Sequence, residues 1–188
     1  EKPYRATRLG TLFHAWVENR SLAAVGDSLV DPSDLDAAPG ELDGDLDDNL
    51  IGADAETLAA LQARFEASPW ANRQPVDVER EIHLPFDSRI IICKIDAVYR
   101  DETDGDRFEI VDWKTGRAPA DEADIEKKQL QLALYRLAYA TWAGVKADRI
   151  DAAFYFVADD LVIRPAHIDS EADLLRRWRA VFPPASLA

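Results

Sequence analysis

Residues 108–116 read "FEIVDWKTG", and how this stretch is taken decides the fold. In an extended chain alternate side chains share a face, so Phe108, Ile110, Asp112 and Lys114 point one way. An apolar strand that closes on an acid and a base is either a salt-bridged strand end or the edge of an active site. The preceding stretch, "SRIIICKIDAVYR" at residues 88–100, poses the same problem. Ile90, Ile92, Lys94, Asp96 and Val98 share one face, and Ile91, Cys93, Ile95, Ala97 and Tyr99 the other. Asp96 interrupts an apolar strand, where a carboxylate is costly to bury without a cation or donors. The turn-forming "DETDGD" at residues 101–106 joins the two strands into an antiparallel hairpin, so Asp96 and Asp112 can approach. Two bare carboxylates side by side repel, and a divalent cation between them is the economical reading. Oxygen ligands of that kind suit Mg²⁺ or Mn²⁺. Lys114, one pleat beyond Asp112, would then orient or help deprotonate a bound water, or stabilise charge on a phosphate. Taken alone, the same Asp-x-Lys reads as a plain ion pair.

Working outward from the hairpin, residues 8–25 carry Leu9, Leu12, Phe13, Trp16 and Val17 at helical spacing. A second helix follows over 55–68 and stops at Ser68-Pro69. "VDVEREIHLPF" at residues 76–86 alternates as a strand. A long helix over 123–143 is closed by Gly144. "RIDAAFYFVA" at residues 149–158 is a further strand, which pairs with "DLVIRPAHI" across an Asp-Asp turn. Ser170 opens a last helix. This alternation predicts an α/β fold with a central mixed β-sheet flanked by helices.

The 188 residues fit one domain, and no apolar run is long enough to span a membrane. The start has no signal-peptide pattern, and a chain without Met reads as a piece of a longer one. The net charge of −14 is mostly local. Residues 27–54 hold ten acids and no Lys or Arg, which leaves 26 acids against 22 bases elsewhere. This segment, rich in Asp, Gly and Pro, is expected to be a flexible loop within the domain. It lacks the ligand spacing and closing Glu of a calcium-binding loop. The single cysteine, Cys93, excludes a self-contained iron–sulfur cluster and reads as a small buried residue, compatible with a cytoplasmic protein. His83 and His167 are read as ordinary, non-catalytic histidines. No P-loop, nucleophile elbow or dinucleotide glycine pattern occurs.

"KIDAVYRD" followed by "FEIVDWKTG" resembles the active-site hairpin of the PD-(D/E)XK nuclease superfamily in its RecB-like branch. "RLGTLFHAWVE", with Gly10 and His14 four apart, resembles that branch's Gly-x-x-x-His helix. "QLALYRLAYA" resembles its Gln-x-x-x-Tyr helix, with Gln131 and Tyr135 on one face. Four motifs in the expected order, from Gly10 to Tyr135, are far more specific together than any one alone. The resemblance is greatest to nuclease domains of UvrD-like helicases of the RecB, AddAB and AdnAB kind, and it takes in most of the chain outside the acidic segment.

It implies a restriction-endonuclease-like core and a deoxyribonuclease, exonuclease rather than endonuclease. Metal would be held by His14, Asp96, Asp112 and the backbone carbonyl of Trp113, with Lys114 as the catalytic lysine. Glu79 would be the acid of the preceding strand, with Glu81 the alternative. Gln131 and Tyr135 would position DNA or brace the site. Single-stranded DNA delivered by a helicase motor, in the same chain or a partner, is the implied substrate during repair of double-strand ends. The acidic balance opposes tight DNA binding; Arg5, Arg8, Lys94, Lys114, Arg117, Lys127, Lys128 and Arg136 are the nearby positive charges. The alternative is a nuclease-like module that binds strands or assembles subunits without cutting.

Overall fold

This computed structural model describes residues 2–24, 48–164 and 170–182. The chain forms two compact units, Glu1–Gln74 and Pro75–Ala188.

The first unit holds helices α1 (Lys2–Ala24) and α2 (Asp48–Glu66). The stripe read from the sequence is what joins them. Phe13 meets the Phe65 ring edge-on at 6.1 Å, and Trp16 meets it at 5.7 Å. Arg20 adds two hydrogen bonds to Glu66, at 2.8 and 2.7 Å, and a third at 2.6 Å to the Ala71 carbonyl. Helix α2 begins seven residues earlier than the apolar spacing indicates. Residues 48–54 of the expected acidic loop are therefore helical, and residues 27–47 lie outside the described residues.

The second unit is a mixed five-stranded sheet in sequential order, β1 (Pro75–Phe86), β2 (Arg89–Arg100), β3 (Phe108–Lys114), β4 (Ile150–Phe156) and β5 (Leu161–Ile163). All pairs are antiparallel except β3 with β4, which is parallel. That one crossover is made by helix α3 (Glu122–Ala143), since parallel neighbours need a long connection. Asp121 caps α3 by accepting from the Asp124 N–H at 2.9 Å, and Gly144 ends it with φ 68°, a left-handed value that glycine adopts without strain. Ser170 caps α4 (Glu171–Val181) as its position predicts.

The β2–β3 turn forms because the Asp101 carboxylate accepts from Thr103 N–H, Thr103 Oγ1 and Asp104 N–H at 2.7 to 2.9 Å. The tighter β1–β2 turn runs through Asp87 and Ser88, with φ 48° and 59°, the handedness that matches strand twist in a two-residue hairpin. Beneath α3 and α4, one core gathers Ile82, Leu84, Cys93, Ile95, Val98, Ile110, Leu132, Phe154 and Trp178. Each such side chain contributes about 1.5–3 kcal/mol of burial. On the second face of the sheet Tyr99, Trp113 and Tyr155 contact edge to face at 6.4 and 6.2 Å.

Strict alternation along β2 does not run the length of the strand. The core takes Cys93 and Ile95, but then Val98 in place of Ala97. Strand β1 makes the matching change: Asp77, paired with Val98, accepts from Tyr139 of α3 at 2.9 Å. Glu79 lies inside this step with φ 47°, a conformation an L-residue adopts at a cost of about 1–3 kcal/mol. The two-faced reading of the sequence fails there because a local backbone irregularity re-aims the side chains that follow.

Candidate active site

The register brings three acids to one level of the sheet. Val78 pairs with Ala97 and Arg80 with Ile95, so Glu79 stands opposite Asp96. Ala97 pairs with Val111, so Asp96 and Asp112 are the next residues on their strands. Beyond that pair the ladder between β2 and β3 stops, and Asp96 itself takes its place. Its Oδ2 accepts from the Trp113 N–H at 2.7 Å. Asp96 is thus a buried carboxylate whose orientation is set by a backbone donor of the neighbouring strand.

Asp112 is 2% exposed. Its Oδ2 is 2.6 Å from Lys114 Nζ, an ion pair between residues on one face of β3. Lys114 is part-exposed and also lies 5.3 Å from the centre of the Phe154 ring, on the paired strand β4. Gln131 of α3 donates to Asp112 Oδ1 at 3.5 Å and to the Tyr135 hydroxyl at 2.8 Å. Their four-residue spacing on one helix turn produces this bond. Burial first, and the Asp112 carboxylate second, push the Tyr135 hydroxyl well above the ordinary range of a phenol. Tyr135 therefore stays a neutral hydroxyl that donates or accepts a hydrogen bond.

A carboxylate oxygen of Glu79 lies within 4.8 Å of one of Asp96. Two ligand bonds of about 2.1 Å to one small divalent cation span roughly 4 Å. The pair is all oxygen, carries two negative charges and sits beside a third acid, so the donor set fits a hard divalent metal ion.

The remaining expected residues fall as follows. Gly10 and His14 lie on α1, both half-buried. Trp113 has its side chain buried on the second face of the sheet. Glu81 faces outward on the hairpin, bonded to His83 at 2.8 Å and 3.7 Å from Lys94, so it stands away from the row. Of the nearby cations, Arg136 is a correction: it is 4% exposed and donates to the Ile150 and Ala147 carbonyls at 2.6 and 2.7 Å. Its charge serves the backbone. A lone arginine inside the apolar stripe of α3 is the signal that marks it. Cys93 is buried, which pushes its thiol up to about 11, consistent with an inert core residue. His167 and the side chains of Arg5 and Arg8 lie outside the described residues.

Carboxylates and a lysine at one level of a mixed sheet, with oxygen donors that fit a divalent ion, form a candidate metal-dependent site. The family model of the PD-(D/E)XK nuclease superfamily matches residues 1–183, and the chain belongs to that superfamily. No curated protein matches it in sequence. Among solved structures, the crystal structure of SSO0001 is similar with a TM-score of 0.40 and 15% identity, over 96% of this chain and 73% of that one.

Proposed function

We propose that the chain is a single RecB-like nuclease domain, residues 1–188, of a helicase–nuclease that processes double-strand DNA ends in the cytoplasm. Its substrate is single-stranded DNA fed by the motor, and exonuclease cutting is favoured over endonuclease cutting. The observation that carries this reading is the Lys114–Asp112 pair at 2.6 Å, set at the same level of the sheet as Asp96 and Glu79. A purely structural pair would not require two further acids beside it, since neighbouring carboxylates raise one another's cost of ionisation.

His14, Asp96, Asp112 and the Trp113 carbonyl are the proposed ligands of Mg²⁺ or Mn²⁺, with Glu79 the supporting acid. When bound, such a cation polarises the phosphate and makes water a nucleophile near neutral pH. Asp112 holds the Lys114 ammonium in place. An ammonium donates and does not accept a proton, so Lys114 stabilises negative charge growing on the phosphate oxygens. Gln131 fixes the Asp112 carboxylate, and Tyr135, kept neutral, is a hydrogen-bond donor for the DNA backbone. Gly10, four residues before His14 on α1, is the proposed small residue beside it.

End-labelled single-stranded DNA, incubated with the protein in Mg²⁺, Mn²⁺ or EDTA, tests the reading. Cutting is expected with either metal and absent in EDTA. Lys114→Ala should lower the rate by about 10²–10³-fold, the usual effect of removing one charge-stabilising donor. Cutting that persists in EDTA, or equally in the variant, would overturn the assignment.

A further inference from the structure

At the opposite end of the same strands lies a cleft of about 710 Å³, bordered by Arg100, Phe108, Tyr139, Trp142, Lys146 and Arg149. We propose that it is a contact site for single-stranded polynucleotide, about 13 Å along β2 from Asp96 (four residues at ~3.3 Å each). The choice of ligand rests on the nuclease reading above; the features of the cleft do not.

The first feature is an aromatic platform rooted in the core. Phe108 packs on Tyr139 at 5.7 Å, and Tyr139 packs on Trp142 at 5.6 Å. Trp142 ends this series on the last turn of α3 with 49% of its surface exposed. Arg80 lies 4.5 Å over the indole, and the Asp77 carboxylate at 2.9 Å from Arg80 Nε holds it there. A braced, half-exposed indole offers a base a ring to stack on without a large loss of side-chain freedom.

The second feature is positive charge at the rim. Arg100 lies 5.0 Å over Phe108 and donates to the Gly105 carbonyl at 2.7 Å. Arg149 is paired with Asp104 at 2.9 Å, and Lys146 is exposed just past the end of α3. Asp77 and Asp106 also line the cleft, but Asp77 is engaged by both Arg80 and Tyr139. In a chain of net charge −14, this grouping of cations around an exposed indole matches the alternation of base and phosphate along one strand.

The test is fluorescence anisotropy of a labelled oligothymidine of about 20 nucleotides with the full chain in EDTA, where no strand is cut. Trp142→Ala should weaken binding about 10-fold, and Trp142→Phe should restore it to within about twofold, because stacking needs a ring and not an indole. Lys146→Ala should lower the slope of log affinity against log salt by about 0.7, the release expected for one phosphate contact on a single strand. Both changed residues are substantially exposed; should Trp142→Ala melt, the salt slope of Lys146→Ala decides the matter. Wild-type binding that is absent, or that Trp142→Ala and Lys146→Ala both leave unchanged, overturns the proposal. Metal-dependent cutting with binding that ignores Trp142 removes the cleft and keeps the nuclease. Trp142-dependent binding without any cutting does the reverse.

Discussion

Two buried charges of the sheet unit make an instructive pair. Asp112 and Arg136 are 2% and 4% exposed; Asp112 meets α3 through Gln131 and Arg136 belongs to α3, yet their surroundings differ in kind. Arg136 donates to two backbone carbonyls, those of Ile150 and Ala147, groups that cannot swing away. Asp112 is met by the side chains of Lys114 and Gln131, which have rotamers to choose from and partial access to solvent. A buried charge satisfied by backbone is a brace. One satisfied by movable side chains can exchange a partner for a ligand, which is what a catalytic carboxylate must do.

Arg136→Met is the sharpest way to break the comparison. It leaves two buried carbonyls without their donor and should cost about 2–4 kcal/mol, read as a lower urea midpoint with an unchanged slope. Arg136→Lys should not recover this, because one ammonium cannot reproduce the planar fork. If Arg136→Met unfolds like the wild type but loses cleavage, the brace is the wrong role.

Glu79→Gly sharpens it from the other side. Glycine adopts φ 47° without strain, so the variant should gain about 1 kcal/mol of stability while more metal is needed for half-maximal cutting. A gain in stability with no change in metal demand would remove Glu79 from the site; a loss of stability would show that its backbone is not strained.

The smallest effect belongs to the hairpin tip. Asp87 accepts from Arg179 Nε and Nη2 at 2.9 and 2.6 Å, and this hydrogen bond holds its carboxyl below the ordinary 3.8. A depressed folded value means that the contribution is whole above the unfolded pKa and is lost as pH falls through the folded one. Asp87→Asn keeps a residue that tolerates positive φ, so its urea midpoint should trail the wild type slightly at about pH 6. The gap should close towards about pH 2. A gap of constant size across that range would assign the difference to the turn and not to the charge.

Much of this molecule is legible in the chain. The apolar runs at residues 89–100 and 108–114, the Asp101–Asp106 turn, Gly144 and Ser170 each act through local physics: side-chain period, turn hydrogen bonds, left-handed φ and capping. They place the strands, the hairpin and the ends of α3 and α4 where the structure has them. Asp112 and Lys114 could be put on one face for the same reason, being two residues apart on one strand. Other features escape a local reading. The start of α2 at Asp48 lies within an acidic, glycine-containing stretch whose composition favours a loop. The change of sides between Ile95 and Val98 has no signature in "KIDAV", because it is shared with β1 through Glu79.

What the sequence determined by itself, then, is which segments extend or coil and which short-range pairs share a face, since those depend on neighbours a few bonds away. Only the tertiary structure decided that Glu79, Asp96 and Asp112 stand at one level, that Asp96 takes a backbone donor from β3, and that Arg136 is spent on carbonyls. Each of these depends on register and on long-range hydrogen bonding between segments far apart in the chain. A shift of one residue in any one of the three strands would move that strand's carboxylate to the other face of the sheet.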